Sequence, residues 1–343
     1  MFNPNQNSNQ PINQLTNQLV KVASQLLALG KGILAADEST KTITKRFESV
    51  GLTSTPDLNK KYREMLFTAP GIEEYISGVI LYDETLRQES QGKPFVQILG
   101  EKGIIPGIKV DEGLESFGEG EEEVTKGLEG LSERLKEYLG MGAKFTKWRG
   151  VFRISDIYPT DSFLEENLGR MVKYAKVSQA AGLVPIVEPE VLLEGKHTTT
   201  RCEEIETKVL KLLFEKLVAE GVDLTSLILK TSMVLPGKDN GVKTASLEVA
   251  KVTVRTLKNS IPPNISGVVF LSGGQSPDEA TNNLNEIEKN LDGLTFPVSF
   301  SFARALQEEA LKVWCGLDEN IKAAQNVFYD RVRSVSQARN GKL

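Results

Sequence analysis

Residues 227–235 read Leu-Ile-Leu-Lys-Thr-Ser-Met-Val-Leu, an aliphatic run that predicts a buried β-strand and is ended by Pro236-Gly237. Lys230 lies in its middle. Because an unpaired buried ammonium loses its hydration, such a lysine either extends its head group to water or is held as a neutral amine. A neutral amine attacks carbonyl carbon, so Lys230 is a candidate nucleophile for a Schiff base.

Seven other short apolar runs along the chain also predict strands, and most end in polar or charged residues. They are Gly32–Asp37, Ile76–Glu84, Ile104–Asp111, Ala143–Arg149, Leu183–Glu190, Gly267–Gly274 and Pro297–Ala303. Segments long enough for a helix separate most of them, as at Asn167–Ala181 and Glu203–Glu220. Strands that alternate with helices predict a parallel sheet, and eight such units close into a (β/α)₈ TIM barrel of α/β class, here a single domain. An open doubly wound sheet is the alternative, and it is disfavoured because no strand is followed by a Gly-x-Gly-x-x-Gly turn.

The two ends of the chain are predicted to lie outside the barrel. Residues 1–18 are uncharged and rich in Asn and Gln, which predicts a disordered leader without the features of a signal or transit peptide. A helix is expected from about Leu15 to Leu29. The barrel domain is assigned to residues 19–325 and residues 326–343 to a C-terminal tail, although the segment Glu308–Arg339 is itself predicted to be helical before a mobile end.

Composition excludes several classes of function. The chain has 343 residues, of which 40% are hydrophobic and 25% charged, with a formal net charge of −5. This balance gives no case for a nucleic-acid or membrane partner. Cys202 and Cys315 have no metal-like spacing and suit a reducing compartment, so a cytoplasmic protein is expected. With His197 as its single histidine, the chain cannot build a multi-histidine zinc site, and no metal or other cofactor is expected.

Charged residues of both signs fall near the carboxyl ends of the predicted strands, where barrel active sites are built. They are Asp37, Asp83, Lys109, Lys147, Arg149, Glu188, Glu190, Lys230 and Arg304. This pattern predicts one convergent site centred on Lys230, Glu188 and Lys147. Burial is expected to raise the pKa of Glu188 towards neutrality, which suits a group that donates and accepts protons. Asp83, Glu84 and Asp111 are interpreted as salt-bridging residues of the barrel mouth.

Two groups of residues suit phosphate. Ser272-Gly273-Gly274 follows the seventh predicted strand and Arg304 follows the eighth, the region where barrels commonly bind phosphate. Lys109 is a further cation directed at the same mouth. Anion-binding groups on two sides of a candidate Schiff-base lysine fit a bisphosphorylated sugar.

From about Leu19 to about Ala324 the sequence resembles class I fructose-1,6-bisphosphate aldolases. The similarity rests on GILAADEST (32–40), PGIKVD (106–111), KFTKWR (144–149), GLVPIVEPE (182–190), LKTSMVLPG (229–237), FLSGGQS (270–276) and RALQ (304–307). The family is a (β/α)₈ barrel, usually a homotetramer, that cleaves fructose 1,6-bisphosphate reversibly to dihydroxyacetone phosphate and glyceraldehyde 3-phosphate without metal.

The resemblance implies a role for each matched position. Lys230 would form the imine, Glu188 would shuttle protons, and Asp37 would take the C4 hydroxyl proton. Lys147 would steady developing negative charge, and Glu190 would orient the proton network. The implied substrate-binding residues are Ser272, Gly273 and Arg304 for the C1 phosphate, Ser39 and Lys109 with Thr42 or Arg46 for the C6 phosphate, and Arg149.

The sequence departs from the animal enzymes at three places. Thr231-Ser232 stand where those enzymes have Pro-Asn, Ala303 stands for a glycine, and the last tyrosine is Tyr329 rather than a terminal one, so the tail mechanism cannot be carried over. Two other functions stay open. One is a related Schiff-base lyase acting on another phosphosugar, such as sedoheptulose 1,7-bisphosphate. The other is a barrel that has lost catalysis and serves as a binding protein.

Overall fold

Eight parallel strands form a closed barrel in a computed structural model of the chain, which describes residues 10–291 and 293–343. The barrel strands are β1 (Gly32–Ala36), β2 (Ile76–Leu81), β3 (Ile105–Lys109), β4 (Phe145–Phe152), β5 (Val184–Val191), β6 (Ile228–Thr231), β7 (Gly267–Phe270) and β8 (Val298–Phe302). Each strand pairs with the next one along the chain, and β8 pairs with β1. The predicted barrel and all eight predicted strands are confirmed, with their ends shifted by a few residues.

Helices surround the barrel. They are α1 (Gln10–Leu26), α2 (Thr40–Glu48), α3 (Pro56–Thr68), α4 (Asp83–Leu86), α5 (Phe95–Glu101), α6 (Leu131–Gly140), α7 (Asp161–Ala180), α8 (Thr199–Ala219), α9 (Ser246–Ser260), α10 (Pro277–Lys289), α11 (Arg304–Trp314) and α12 (Ile321–Ala338). Within residues 10–291 and 293–343, none of them combines the length and hydropathy that a membrane span requires. Two short antiparallel hairpins, Glu89–Ser90 with Lys93–Pro94 and Leu114–Ser116 with Glu123–Thr125, extend the loops after β2 and β3.

Side chains alternate between the barrel interior and the helix layer, as the two-residue period of a strand requires. On β4, Thr146 faces outward and its hydroxyl lies 2.8 Å from that of Tyr174 on α7. Trp148 also faces outward and stacks on Tyr174, with ring centroids 5.3 Å apart. Phe145 belongs instead to the cluster inside the barrel. The same alternation therefore directs Lys147, between Thr146 and Trp148, into the interior.

The amino end of the barrel is filled by apolar side chains and covered by α1. The cluster joins Leu19, Ala23, Leu26 and Leu27 of α1 to Ile33, Ala35, Ile80, Phe145, Val184, Ile186, Ile228 and Val269 of the strands. Space is tight there, because a Cβ atom at Gly107 would overlap the Phe145 ring. Access to the barrel interior is therefore from the carboxyl end.

Both terminal predictions need correction. α1 begins at Gln10, so residues 10–18 belong to a helix rather than a leader, while residues 1–9 lie outside the described residues. The helical prediction for Glu308–Arg339 is confirmed over most of its length, but residues 326–343 are not a tail. Most of them belong to α12, whose Phe328, Val332 and Val335 are fully buried because they pack into the main apolar core. Arg339 pairs with Glu288 at 2.7 Å, which fixes the residues after the helix as well.

Candidate active site

A cavity of about 1520 Å³ opens at the carboxyl end of the barrel. Every predicted site residue lines it: Asp37, Ser39, Lys109, Lys147, Arg149, Glu188, Glu190, Lys230, Ser272, Gly273 and Arg304. These residues come from seven of the eight strands or the loops that follow them. The barrel thus brings together groups that lie up to 267 residues apart in the sequence.

Four charged side chains form a chain of contacts at the bottom of the cavity. Lys230 Nζ lies 3.0 Å from Glu188 Oε1, and Lys147 Nζ lies 2.9 Å from Glu188 Oε2. Lys147 Nζ is also 2.7 Å from Asp37 Oδ2. Glu188, Lys147 and Lys230 are each only 3% exposed. Two ammonium groups and two carboxylates therefore compensate one another in a place that is almost closed to water.

The mutual compensation sets the protonation of this cluster. Burial raises the pKa of Asp37, but the ammonium groups of Lys147 and Lys230 outweigh that effect and hold it below the ordinary value. Burial lowers the pKa of Lys147, but Asp37 and Glu188 outweigh it and raise the pKa above the ordinary value. At neutral pH Lys147 is therefore a cation and Asp37 a carboxylate.

The predicted pKa of Glu188 is wrong in direction. Burial does raise it, as expected, but Lys147, Lys230 and Arg149 surround the carboxylate with positive charge, and the pKa is lowered below its ordinary value. Desolvation alone would have given a neutral acid. The sequence could not show that two buried lysines contact the same carboxyl group, one on each oxygen.

Other predicted residues are held by ion pairs around this centre. Arg149 pairs with Glu190, which fixes both side chains across the neighbouring strands β4 and β5. Lys109 Nζ lies 2.5 Å from Asp111 Oδ1 and donates to the Asp111 carbonyl at 2.6 Å. Asp111 therefore has the salt-bridging role predicted for it. Asp83 has such a role too, because it pairs with Arg87 at 2.9 Å.

The residues predicted to bind the C1 phosphate lie on one side of the cavity, after the adjacent strands β7 and β8. Ser272 is buried, Gly274 has a left-handed backbone with φ +80°, and Arg304 Nη2 donates to the carbonyl of Gln275 at 2.9 Å. Ala303 has φ −105°, so its backbone is outside the left-handed region that favours glycine. On another part of the wall, Ser39 precedes α2 and its hydroxyl lies 3.2 Å from that of Thr42.

Sequence reasoning missed several buried polar residues next to the site. Glu38 pairs with Arg46 and with the buried Arg63 of α3, and this network supports the segment that carries Asp37. Ser301 of β8 lines the cavity, and its Oγ has no hydrogen-bond partner among the described residues. Alternation in Ser-Phe-Ser-Phe, residues 299–302, could have identified Ser301 as inward-facing. Arg63 carries no such signal, because it lies on a helix distant in sequence.

Carboxylates line this cavity, but the described ones are not grouped as a metal-binding site. His197 lies outside the cavity lining described here, and residues 10–291 and 293–343 contain no group of three or more His, Cys, Asp or Glu side chains arranged to hold a metal ion.

A closed (β/α)₈ barrel whose mouth joins paired lysines and carboxylates to a glycine turn and an arginine is built as the active site of an enzyme for an anionic substrate. Comparison with known proteins identifies the family. The model of the family "Fructose-bisphosphate aldolase class-I" matches residues 18–343. The chain belongs to this family of lyases, and the resemblance found in its motifs is confirmed.

Individual relatives agree along nearly the whole chain. Over 328 residues it is 44% identical to a probable fructose-bisphosphate aldolase class 1 of Xanthomonas campestris pv. campestris, covering 95% of this chain and 98% of the relative. It is 46% identical to fructose-bisphosphate aldolase 1 of Toxoplasma gondii, with 97% and 93% covered. The structure of fructose-bisphosphate aldolase from Plasmodium falciparum, in complex with TRAP and a small-molecule inhibitor, superposes with a TM-score of 0.94 at 44% identity and 96% coverage of both chains.

Proposed function

We propose that this protein cleaves fructose 1,6-bisphosphate reversibly to dihydroxyacetone phosphate and glyceraldehyde 3-phosphate through a Schiff base on Lys230. The observation that carries the proposal is the 3.0 Å contact between Lys230 Nζ and Glu188 Oε1 inside the cavity. It supplies a nucleophile and a proton acceptor in direct contact, which is the pairing that covalent catalysis requires.

The direct contact with Lys230 gives Glu188 a definite part in the first step. Glu188 begins as a carboxylate and takes a proton from Lys230, which leaves a neutral amine and a carboxylic acid. The amine adds to the C2 ketone of the substrate. Glu188 then returns its proton to the carbinolamine hydroxyl, which leaves as water, and the imine forms as a cation. The proton path of this step is therefore the 3.0 Å Lys230–Glu188 contact, and not the raised Glu188 pKa expected from the sequence.

Bond cleavage uses the imine and Asp37. As the C3–C4 bond breaks, its electron pair moves into the cationic imine to give an enamine, and Asp37 takes the C4 hydroxyl proton. Asp37 is suited to this because the pKa lowered by Lys147 and Lys230 keeps it ionised before the step. Lys147, held charged between Asp37 and Glu188, steadies the negative charge on both. The enamine is then protonated and hydrolysed to release dihydroxyacetone phosphate.

The two phosphates are assigned to two parts of the cavity wall. Ser272, Gly273 and Arg304 receive the C1 phosphate, supported by α11, which begins at Arg304 beside the lining residue Ala303. Ser39 and Lys109 receive the C6 phosphate, with Lys109 exchanging part of its contact with Asp111. Arg149 contributes positive charge while it orients Glu190.

Borohydride trapping tests the imine. The protein is incubated with dihydroxyacetone phosphate and EDTA, reduced with borohydride, and analysed by intact mass and peptide mapping. We expect one adduct, on Lys230. An adduct on Lys147 would keep the chemistry but reverse the roles of the lysines, and a folded protein without an adduct would overturn the Schiff-base proposal. Lys109→Met is the matched control, because it removes a cavity lysine without removing the nucleophile.

Two further predictions concern the protein as a whole. We propose a homotetramer, in line with the family, and sedimentation equilibrium of the full chain measures its mass directly. We also propose a cytoplasmic location. Relatives named as cytosolic support it, such as fructose-bisphosphate aldolase 4 of Arabidopsis thaliana, which is 44% identical to this chain.

A further inference from the structure

Lys238 lines the same cavity, beside the glycine turn of the phosphate-binding residues. Gly274 marks the contact: a Cβ atom at this position would lie 3.2 Å from Lys238 Cε. The lysine side chain therefore passes directly over the turn. In the part of the chain that the structure describes, no carboxylate lies within 4.0 Å of the Lys238 ammonium, whereas Lys147, Lys230 and Lys109 all have carboxylate partners.

The backbone around Lys238 is held in place although its side chain is exposed. Lys238 N donates to the Leu193 carbonyl at 2.8 Å, and Gly237 N donates to the His197 carbonyl at 2.9 Å. Asp239 N donates to the Gly195 carbonyl at 2.9 Å. These bonds tie the segment after β6 to the loop after β5, so the start of the lysine side chain is fixed next to the turn while the ammonium stays free to reach a ligand.

Acidic side chains near this turn favour a second positive charge for phosphate binding. The carboxylate of Glu190 approaches Gly273 closely, since a Cβ atom there would lie 2.7 Å from Glu190 Oε1. Arg304, the cation assigned to the turn, is exposed and lies 3.8 Å from Glu308. A phosphate at the turn therefore meets a carboxylate that is paired with Arg149 and an arginine that is shared with Glu308, and a second mobile cation improves its binding.

We infer that Lys238 is a further substrate-binding residue that contacts the phosphate held at Ser272–Gly274. The inference rests on the proposed aldolase function, because it assigns that phosphate to C1 of the sugar and so to dihydroxyacetone phosphate. Lys238 acts on binding and takes no part in the chemistry at C2 to C4.

The condensation reaction tests this assignment, since each of its two substrates carries one of the phosphates. For Lys238→Met we expect the KM for dihydroxyacetone phosphate to rise about 3- to 10-fold, with the KM for glyceraldehyde 3-phosphate and kcat unchanged within about twofold. Lys238→Arg keeps the charge and is expected to restore most of the affinity. The difference between Lys238→Met and the wild type should shrink as salt is raised, because an exposed charge is screened.

Lys196→Met is the matched control, because Lys196 is an exposed lysine of the adjoining loop that does not line the cavity described here. An equal effect of Lys196→Met would overturn the inference, as would an unchanged KM for dihydroxyacetone phosphate in Lys238→Met or an equal rise for both substrates. These outcomes are distinct from failure of the proposed function, in which the wild-type protein itself would give neither turnover nor an adduct on Lys230.

Discussion

The barrel interior contains two layers of side chains, one apolar and one charged. They lie two residues apart along the same strands. On β4 the apolar layer contains Phe145 and the charged layer Lys147. On β5 the corresponding pair is Ile186 and Glu188, and on β6 it is Ile228 and Lys230. Because a strand rises about 3.3 Å per residue, only about 7 Å separates the two layers.

The difference shows how this fold keeps ionised groups in a nearly dry place. The lower layer is packed against α1 and supplies apolar burial without chemistry. The upper layer is almost as buried, but its charges are paired with one another rather than with water. Substitutions in the lower layer should therefore change stability, and substitutions in the upper layer should change catalysis.

The largest effect is expected from the upper layer of β6. Lys230→Met removes the nucleophile and should lower kcat/KM by at least about 10⁴-fold, because losing a covalent nucleophile removes the main reaction path. Ile228→Val, two residues earlier on the strand, is the matched control and should leave kcat within about twofold. Steady-state cleavage of fructose 1,6-bisphosphate measures both variants. A Lys230→Met enzyme with more than about a hundredth of wild-type activity would break the distinction between the layers.

The lower layer of β4 should show the opposite response. Phe145→Ala leaves a cavity against Gly107 and is expected to lower the free energy of unfolding by about 3–5 kcal/mol. Urea unfolding of the variant and the wild type measures the loss. At a temperature where both are folded, kcat should fall less than about tenfold. A fall of a hundredfold without loss of stability would show that the chemistry extends into the apolar layer.

Sequence predicted more of the architecture than of the electrostatics. Eight apolar runs, most with polar or charged residues near their ends, were sufficient for a barrel and for the residues at its mouth, because strand alternation and strand direction are local properties. The pKa of Glu188 was not predictable, since it depends on Lys147 and Lys230 approaching it from two other strands. The tail was misassigned for a similar reason, because the apolar face of α12 is buried only by its packing against other elements of the main core.

Glu206 of α8 was missed because it lies behind the barrel wall, where it accepts a hydrogen bond from Thr231, the neighbour of Lys230. Burial raises the pKa of Glu206 to about 8, and the Glu190 carboxylate adds to this. Cys202, one turn away on α8, is also buried with a raised pKa. Among residues 10–291 and 293–343 no cation pairs with Glu206, so it is the counterpart of Glu188: a buried carboxyl group kept neutral at pH 7 rather than ionised.

Glu206→Gln should therefore change how stability depends on pH. Between the ordinary pKa of 4.5 and about 8 the folded state binds more protons than the unfolded state. The contribution of Glu206 to wild-type stability is therefore complete below pH 4.5 and is lost as the pH rises towards 8. Glutamine cannot ionise, and we expect its stability relative to wild type to increase by on the order of 3 kcal/mol from pH 5 to pH 8. Urea unfolding at several pH values measures this. Parallel pH profiles for the two proteins would contradict a neutral Glu206.

The smallest effect is expected for an exposed lysine–glutamate pair whose N–O distance equals that of a buried pair in the active site. Lys176 Nζ and Glu220 Oε2 are 2.9 Å apart, the distance that also separates Lys147 from Glu188, but each side chain is 57% exposed rather than 4%. Water already solvates both charges, so Lys176→Ala should leave Tm and kcat without measurable change. Thermal unfolding and steady-state kinetics test this. A loss of activity in Lys176→Ala would mean that ion-pair distance, and not the burial that the barrel mouth imposes, decides which charged pairs this enzyme depends on.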